Sequence, residues 1–178
     1  MSVIRGVQAQ TARLGGSMDE RDVLNFYERT VGDVYRYASR LTGGDQSGTA
    51  DLVQEVYLTL IRQVRSGRRD PVDIGWAITT CRSRFIDEHR RRDRRARLFA
   101  NRDERSSEPL YEGVSEATAA LAGLPEAQRL AVVLRYVDDL SVPEVAELIG
   151  RSVHATESLL ARARSTLRTA LAPTDGEE

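Results

Sequence analysis

Eight arginines and only three acids lie between Arg82 and Arg97, and they include the run Arg90, Arg91, Arg92. Guanidinium groups are permanently charged, planar donor forks, the chemistry that grips phosphate oxygens. A solvated helix end is the other reading of such a run. A second polar set sits near the C-terminus: Arg151, Ser152, His154, Glu157 and Ser158, followed by Arg162 and Arg164. Such side chains hydrogen-bond to base edges and phosphates, and a glutamate can accept from a cytosine amine. A third set, Asp51, Gln54, Glu55 and Arg62, falls off the apolar stripe of its helix. A mixed-charge face of that kind suits an exchangeable protein contact, where charge sets rate and register, or is simply solvated. None of these sets pairs a nucleophile with a base or forms a phosphate-cradling glycine loop. The two histidines, His89 and His154, lie in different halves of the chain and Cys81 is the lone cysteine. No catalysis, cofactor or metal is therefore expected.

Helices must hold these side chains in place. Ser141 and Glu144 form an S-x-x-E capping box with Pro143 in the first turn, and Val145, Ala146, Leu148 and Ile149 give an apolar face before Gly150. Glycine in the left-handed conformation ends a helix there. Ser152 can cap a second helix with Leu159, Leu160, Ala163, Leu167 and Leu171 inward. Two helices across a short glycine turn describe a helix-turn-helix, whose second helix enters a DNA major groove; a plain helical hairpin shares the pattern.

Upstream, Ser17 and Glu20 suggest another capping box, opening a helix with Val23, Leu24, Phe26 and Tyr27 and continuing from Thr30 to Leu41 past a kink near Gly32. Residues 42–48 read as a turn, and Thr49 or Asp51 starts an amphipathic helix striped by Leu52, Val53, Val56, Leu60, Ile61 and Val64. A loop at 66–71 precedes a long helix from about Val72 to Arg95, apolar at Ile74, Ala77, Ile78, Cys81, Phe85 and Ile86. Past Asp87 it is almost wholly polar, so its arginine half is expected to project beyond its own core. The expected fold is all-α, with no strand signal. A leader at 1–17 precedes a helical domain at 18–96, a flexible acidic linker at 97–115, a helix-turn-helix domain at 116–172 and a tail at 173–178. No appended sensory domain is expected.

Composition narrows the class. The 178 residues carry a net charge of −1, which excludes a globally basic nucleic-acid binder, yet charge is segregated along the chain. Every one of the 26 basic residues is arginine, and between Asn101 and Glu116 two arginines meet five acids. No apolar run reaches the ~18 residues of a membrane span. The N-terminus lacks a signal-peptide core, so cytoplasmic residence is expected. Cys81 allows no internal disulfide and reads as a small buried hydrophobe.

Two stretches together carry a family resemblance. DLVQEVYLTLIRQV at 51–64 with WAITTCRSRFIDEHRRRDRR at 76–95 resembles the first conserved domain of sigma-70-type factors. LPEAQRLAVVLRYVDDLSVPEVAELIG, followed by RARSTLR, resembles their promoter-binding C-terminal domain. With these two modules alone, over about residues 20–171, the chain resembles an extracytoplasmic-function (ECF) sigma factor. The resemblance implies a non-enzymatic subunit that binds core RNA polymerase, directs it to −35 and −10 promoter elements and promotes melting. Asp51, Gln54, Glu55 and Arg62 would dock on the β′ coiled coil, and the β flap would be a second polymerase contact. Trp76, Arg82, Ser83, Arg84, Asp87, Arg90 and Arg91, with Arg92, would serve the −10 DNA, the loop at 66–75 capturing a flipped base. Trp76 could stack that base, although its spacing with Ile78 and Cys81 fits a core residue better. Arg151, Ser152, His154, Glu157, Ser158, Arg162 and Arg164 would serve the −35 DNA.

The chain departs from its relatives at Ser83, where many carry Asn, at Glu157 and Leu159, where many carry Lys or Arg, and at His154, a frequent Gly. The resemblance also implies an anti-sigma partner clamping the modules, and a linker that crosses polymerase or is an inert tether. Two other classes stay open on the residues alone: a stand-alone helix-turn-helix regulator that binds palindromic duplexes, and a helical adaptor that binds only proteins.

Overall fold

The structure, a computed structural model, describes residues 18–67, 70–99 and 116–171, with side chains to residue 96 in the middle stretch. The expected leader, the tail after residue 171 and most of the expected linker lie outside them. Among the described residues the chain is all-α, with seven α-helices, one π-helical turn and no strand.

Three helices form the first unit. Helix α1, Glu20–Thr42, is capped by Asp19, whose side chain accepts from the Asp22 N–H while Asp22 reaches back. Ser17, the expected cap, lies outside the described residues, and the helix passes Gly32 without interruption. It ends at Gly43, with φ +71°. Helix α2, Gln46–Arg65, begins earlier than expected because the Asp45 carboxylate accepts from the Gly48 N–H, a cap that lets the helix start inside the glycine-rich turn. Helix α3, Ile74–Phe99, starts where Asp73 accepts from the Trp76 N–H at 2.9 Å. The unit closes over Phe26, Val34, Tyr37, Ala38 and Leu41 of α1, Val53, Val56, Tyr57 and Leu60 of α2, and Ala77, Cys81, Phe85 and Ile86 of α3, all buried. Each large side chain contributes roughly 1.5–3 kcal/mol.

The second unit starts with α4, Glu116–Ala122, which breaks at Gly123-Leu124-Pro125. Helix α5, Glu126–Val132, runs into the π-helical turn Val133–Val137, followed by Asp139 in the left-handed region at φ +57°. Helix α6, Val142–Ile149, carries the expected Ser141–Glu144 capping box and ends at Gly150, φ +68°. Helix α7, Val153–Ala170, is capped by Ser152. Leu124, Leu130, Leu134, Val145, Ile149, Leu159 and Leu160 fill this unit's core.

The arginine half of α3 projects beyond its own core, as expected, with Arg91, Arg92, Arg94 and Arg95 exposed, but one side of it packs on the second unit. The buried residues of both units form one continuous cluster, with α1 against α4 and α5, and α3 against α6. The reason is electrostatic as well as apolar. The guanidiniums of α3 meet acids and a carbonyl presented by the second unit, a match that helical periodicity within one segment cannot reveal. Arg129 of α5 is the least expected feature. It is 2% exposed, donates from Nε to the Leu41 carbonyl at 2.9 Å and from Nη1 to the Leu124 carbonyl at 3.1 Å. It thus supplies a cation at the C-terminal, negative end of α1's dipole. A Cβ on Gly43 would sit 2.6 Å from its Nη1, so that position needs glycine for space as well as for backbone conformation.

Candidate functional site

The α2 face has the geometry expected of an exchangeable surface. Asp51, Gln54 and Arg62 are exposed and Glu55 is half-exposed, while Val53, Val56 and Leu60 point into the core. Glu55 accepts from Arg62 Nη1 at 3.0 Å and lies 3.7 Å from Arg84. The Arg62 hydrogen bond holds the Glu55 carboxyl below its usual range, helped by the Arg84 charge and opposed by slight burial. Arg84 also donates to the Thr59 hydroxyl at 3.2 Å, so this face continues into the next feature.

An open groove of about 570 Å³ runs between α2 and α3. Trp76, Ser83, Arg84 and Asp87, four of the residues singled out from sequence, line it together with Thr59, Gln63, Gly75, Thr79 and Thr80. Trp76 is half-buried, so its ring both packs on the core and borders the groove. Ser83 donates its hydroxyl to the Thr79 carbonyl at 2.8 Å and keeps its acceptor lone pairs outward. The threonines escape a sequence reading built on the apolar stripe of α3. The opposite stripe, Thr79, Thr80 and Ser83 at helical spacing, was the signal available.

The other arginines of α3 are not in the groove. Arg82 donates to Asp138 Oδ2 at 3.3 Å, and Arg90 donates to the Glu147 carbonyl at 2.7 Å. Arg92 pairs with Glu126 and with Glu88, and exposed Arg91 lies 3.7 Å from Glu88. Asp138, with a side chain 4% exposed, also accepts from the Tyr37 hydroxyl at 2.8 Å. Burial raises the Asp138 carboxyl above its usual range, against the hydrogen bonds from Tyr37 and Arg82. Burial, with Asp138 adding, drives the Tyr37 phenol upward and pushes the Cys81 thiol up to about 12, so the cysteine stays protonated. Glu126 behaves oppositely. Burial raises it, but the hydrogen bond from His89 at 2.7 Å and the Arg92 charge outweigh that and lower it.

On α7, His154, Glu157, Ser158, Arg162 and Arg164 are exposed, while Ser152 holds the Ala155 N–H at 3.2 Å as cap. Leu159 is 5% exposed, so an apolar residue at this position serves the core. Arg151 is only partly exposed, 3.7 Å from Asp93 of α3. Glu157 and Arg164 border a hollow of about 300 Å³ with Arg135, Val142, Leu160 and Tyr136, an exposed ring that sequence reading passed over. No helix among the described residues is long and apolar enough to cross a membrane.

The family model for sigma-70 region 2 matches residues 26–95, and that for sigma-70 region 4 matches residues 115–167. The ECF RNA polymerase sigma factor SigE of Mycolicibacterium smegmatis is 31% identical over 155 residues, covering 81% of this chain and 59% of the relative. The ECF RNA polymerase sigma factor BldN of Streptomyces coelicolor is 31% identical over 151 residues, covering 79% of this chain and 57% of the relative. The chain thus spans under three fifths of the length of these two curated relatives. Among solved structures, the sigma factor RpoE from Bartonella quintana, in complex with the anti-sigma factor NepR, matches at 20% identity with a TM-score of 0.48, covering 85% of this chain and 97% of that one. Region 2 falls on α1–α3 and region 4 on α4–α7, in the order that the charged face, the groove and the helix-turn-helix occupy. The chain belongs to the sigma-70 family of RNA polymerase sigma factors, in its extracytoplasmic-function group.

Proposed function

We propose that this chain is a promoter-specificity subunit that binds core RNA polymerase, directs it to −35 and −10 elements and promotes melting. The observation that carries the reading is the α2–α3 groove, bordered by Trp76, Ser83, Arg84 and Asp87 and continuous through Arg84 with the Glu55–Arg62 face. In this reading Asp51, Gln54, Glu55 and Arg62 meet the β′ coiled coil while the groove takes a base of the melted −10 strand. Trp76 offers a stacking surface worth roughly 1–3 kcal/mol. Arg82, Arg90 and Arg91 neutralise −10 phosphates.

The second unit reads the −35 duplex through Arg151, Ser152, His154, Glu157 and Ser158, with Arg162 and Arg164 on the backbone. It also meets the β flap. The working domains are residues 18–96 and 116–172, joined by the segment between. Sigma factors are regulatory rather than catalytic, and we extend that to this chain, with polymerisation left to the core enzyme in the cytoplasm. Family membership also supports an anti-sigma factor as a partner.

Run-off transcription with purified core polymerase tests the reading. Initiation should depend on the chain, and Gln54→Ala with Glu55→Arg should abolish core binding with helix content intact. Binding of a palindromic duplex without polymerase, and no chain-dependent initiation, would establish a stand-alone regulator instead.

A further inference from the structure

We infer that Glu157 makes the −35 reader of this chain select a cytosine, with Arg135 and Tyr136 completing the surface on which it does so. This deepens the function proposed above and rests on it. Glu157 is exposed on α7, beside Ser158 and three residues after His154. Unlike Asp138, Glu126 and Glu144, each tied to a partner, it has no hydrogen bond or ion pair among the described residues. It borders the hollow of about 300 Å³ whose other walls are Arg135 and Tyr136 of the π-helical turn, Val142 of α6, and Leu160 and Arg164 of its own helix.

The walls of the hollow explain how an acid is tolerated on a surface that meets phosphates. Leu160 is buried and Val142 half-buried, so the floor is apolar and the charged groups stand at the rim. Arg135 donates from Nη1 to the Leu140 carbonyl at 2.9 Å, lies 3.8 Å from exposed Asp139, and has its guanidinium 5.7 Å from the centre of the Tyr136 ring. It is thus held in place with donors to spare. Arg164 is seven residues after Glu157, so it lies on the same side of α7, and it is exposed. The two guanidiniums flank the carboxylate and offset its charge. Phosphates go to the arginines, with the Tyr136 hydroxyl beside Arg135 as a further donor, and Glu157 is left to discriminate between bases.

A carboxylate only accepts hydrogen bonds. In the major groove the donors are the amines of cytosine and adenine, whereas guanine and thymine offer acceptors alone. The adenine amine lies between two acceptors, its own N7 and the O4 of the paired thymine, and both repel a carboxylate. The cytosine amine has an acceptor, guanine O6, on one side only. Glu157 therefore favours cytosine over the other three bases. It also lowers affinity for every sequence, because an acid repels the phosphate chain wherever it sits.

Two selections with the full chain test this. In one, the chain alone selects duplexes from a random-sequence library at low salt. In the other, the chain with core RNA polymerase transcribes a template library in which each random upstream sequence carries its own transcribed barcode. Wild type should show one position at which cytosine exceeds every other base at least about fivefold, the low end for a good side-chain–base pair. Glu157→Ala should flatten that position alone, and should bind random duplex about twofold tighter through loss of one screened like charge. Glu157→Gln keeps an acceptor and gains a donor, so it should admit adenine at the same position. Glu157 is exposed, and these changes leave the core untouched.

A Glu157→Ala variant with wild-type base preferences at every position overturns the proposal even if it binds more tightly, because the acid is then only a repulsive charge. So does a wild-type selection in which no position favours cytosine, or a Glu157→Ala variant in which every position flattens. The transcription arm keeps the two claims separate. A cytosine preference that Glu157→Ala abolishes, with no chain-dependent transcript, sinks the sigma reading and leaves the base contact standing. Chain-dependent transcripts whose upstream sequences are the same for wild type and Glu157→Ala do the reverse.

Discussion

The α2 face and the side of α3 turned to the second unit carry similar residues on neighbouring helices, yet the charges of Glu55–Arg62 and of Arg82–Asp138 are handled in opposite ways. On α2, Glu55 and Arg62 pair across an open surface, with side chains 35% and 60% exposed. Such a pair contributes only about 0–1 kcal/mol and exchanges partners readily. On α3, Arg82 meets a carboxylate that is almost sealed, supported by a tyrosine hydroxyl. Removing one member of a buried pair leaves the other stranded, at a cost of about 3–5 kcal/mol. Sequence chemistry alone therefore does not say whether a charged stripe is available. Burial of the partner decides it.

Experiments can break or sharpen this contrast. The largest effect is expected from Asp138→Ala, which strands Arg82 and Tyr37 and should lower unfolding free energy by about 3 kcal/mol in urea titration. A loss below 1 kcal/mol would erase the distinction. Gly43→Ala should come second, at about 2 kcal/mol, because it forces a Cβ into a left-handed backbone against Arg129. Crystals of that variant should show the guanidinium displaced from the Leu41 carbonyl.

The next effect depends on pH. Glu126 titrates below its ordinary value of 4.5 in the folded chain, so the stability it brings is complete above that value and is lost as pH falls through the lowered one. The groups facing it are His89 and Arg92 of α3 and Arg129 on its own helix. The melting temperature of wild type should exceed that of Glu126→Gln at pH 7, and the gap should close at acidic pH. Asp138, whose carboxyl is raised, moves in the other direction, so the melting temperature of wild type relative to Asp138→Asn should rise on acidification. Glu55→Ala should have the smallest effect on stability, under about 1 kcal/mol by the same titration, while weakening core polymerase capture in a pull-down.

What could be read from sequence was what is encoded locally. Ser141, Glu144, Gly150 and Ser152 set the helix-turn-helix within a dozen residues, and caps and stops appeared where expected. The α2 stripe likewise separated Val53, Val56 and Leu60 from Gln54 and Glu55, because 3.6-residue periodicity is a local property. The interface between the units was not legible. Arg82 and Asp138 are 56 positions apart and Arg129 and Leu41 are 88 apart, and nothing in either segment names its distant partner. Four of the nine groove residues were legible, Trp76, Ser83, Arg84 and Asp87; Thr59 and Gln63 come from another helix, and Thr79 and Thr80 lie on α3 away from the apolar stripe that guided the reading. The first helix cap was misplaced because Asp19 has the same kind of side-chain acceptor and lies directly before the first helical residue.

The widened turn at Val133–Val137 has a consequence for how such a chain could change over time. Its wider loops place the Asp138 N–H on the Val133 carbonyl at 3.1 Å and the Leu140 N–H on the Leu134 carbonyl at 3.1 Å. One residue fewer would let ordinary winding resume and swing the downstream residues by about 100° around the axis. Asp138 would then face away from Tyr37, while every side chain proposed to read bases or meet polymerase would keep its identity. A deletion of three nucleotides would therefore loosen the packing of one unit on the other without replacing any side chain proposed to read bases.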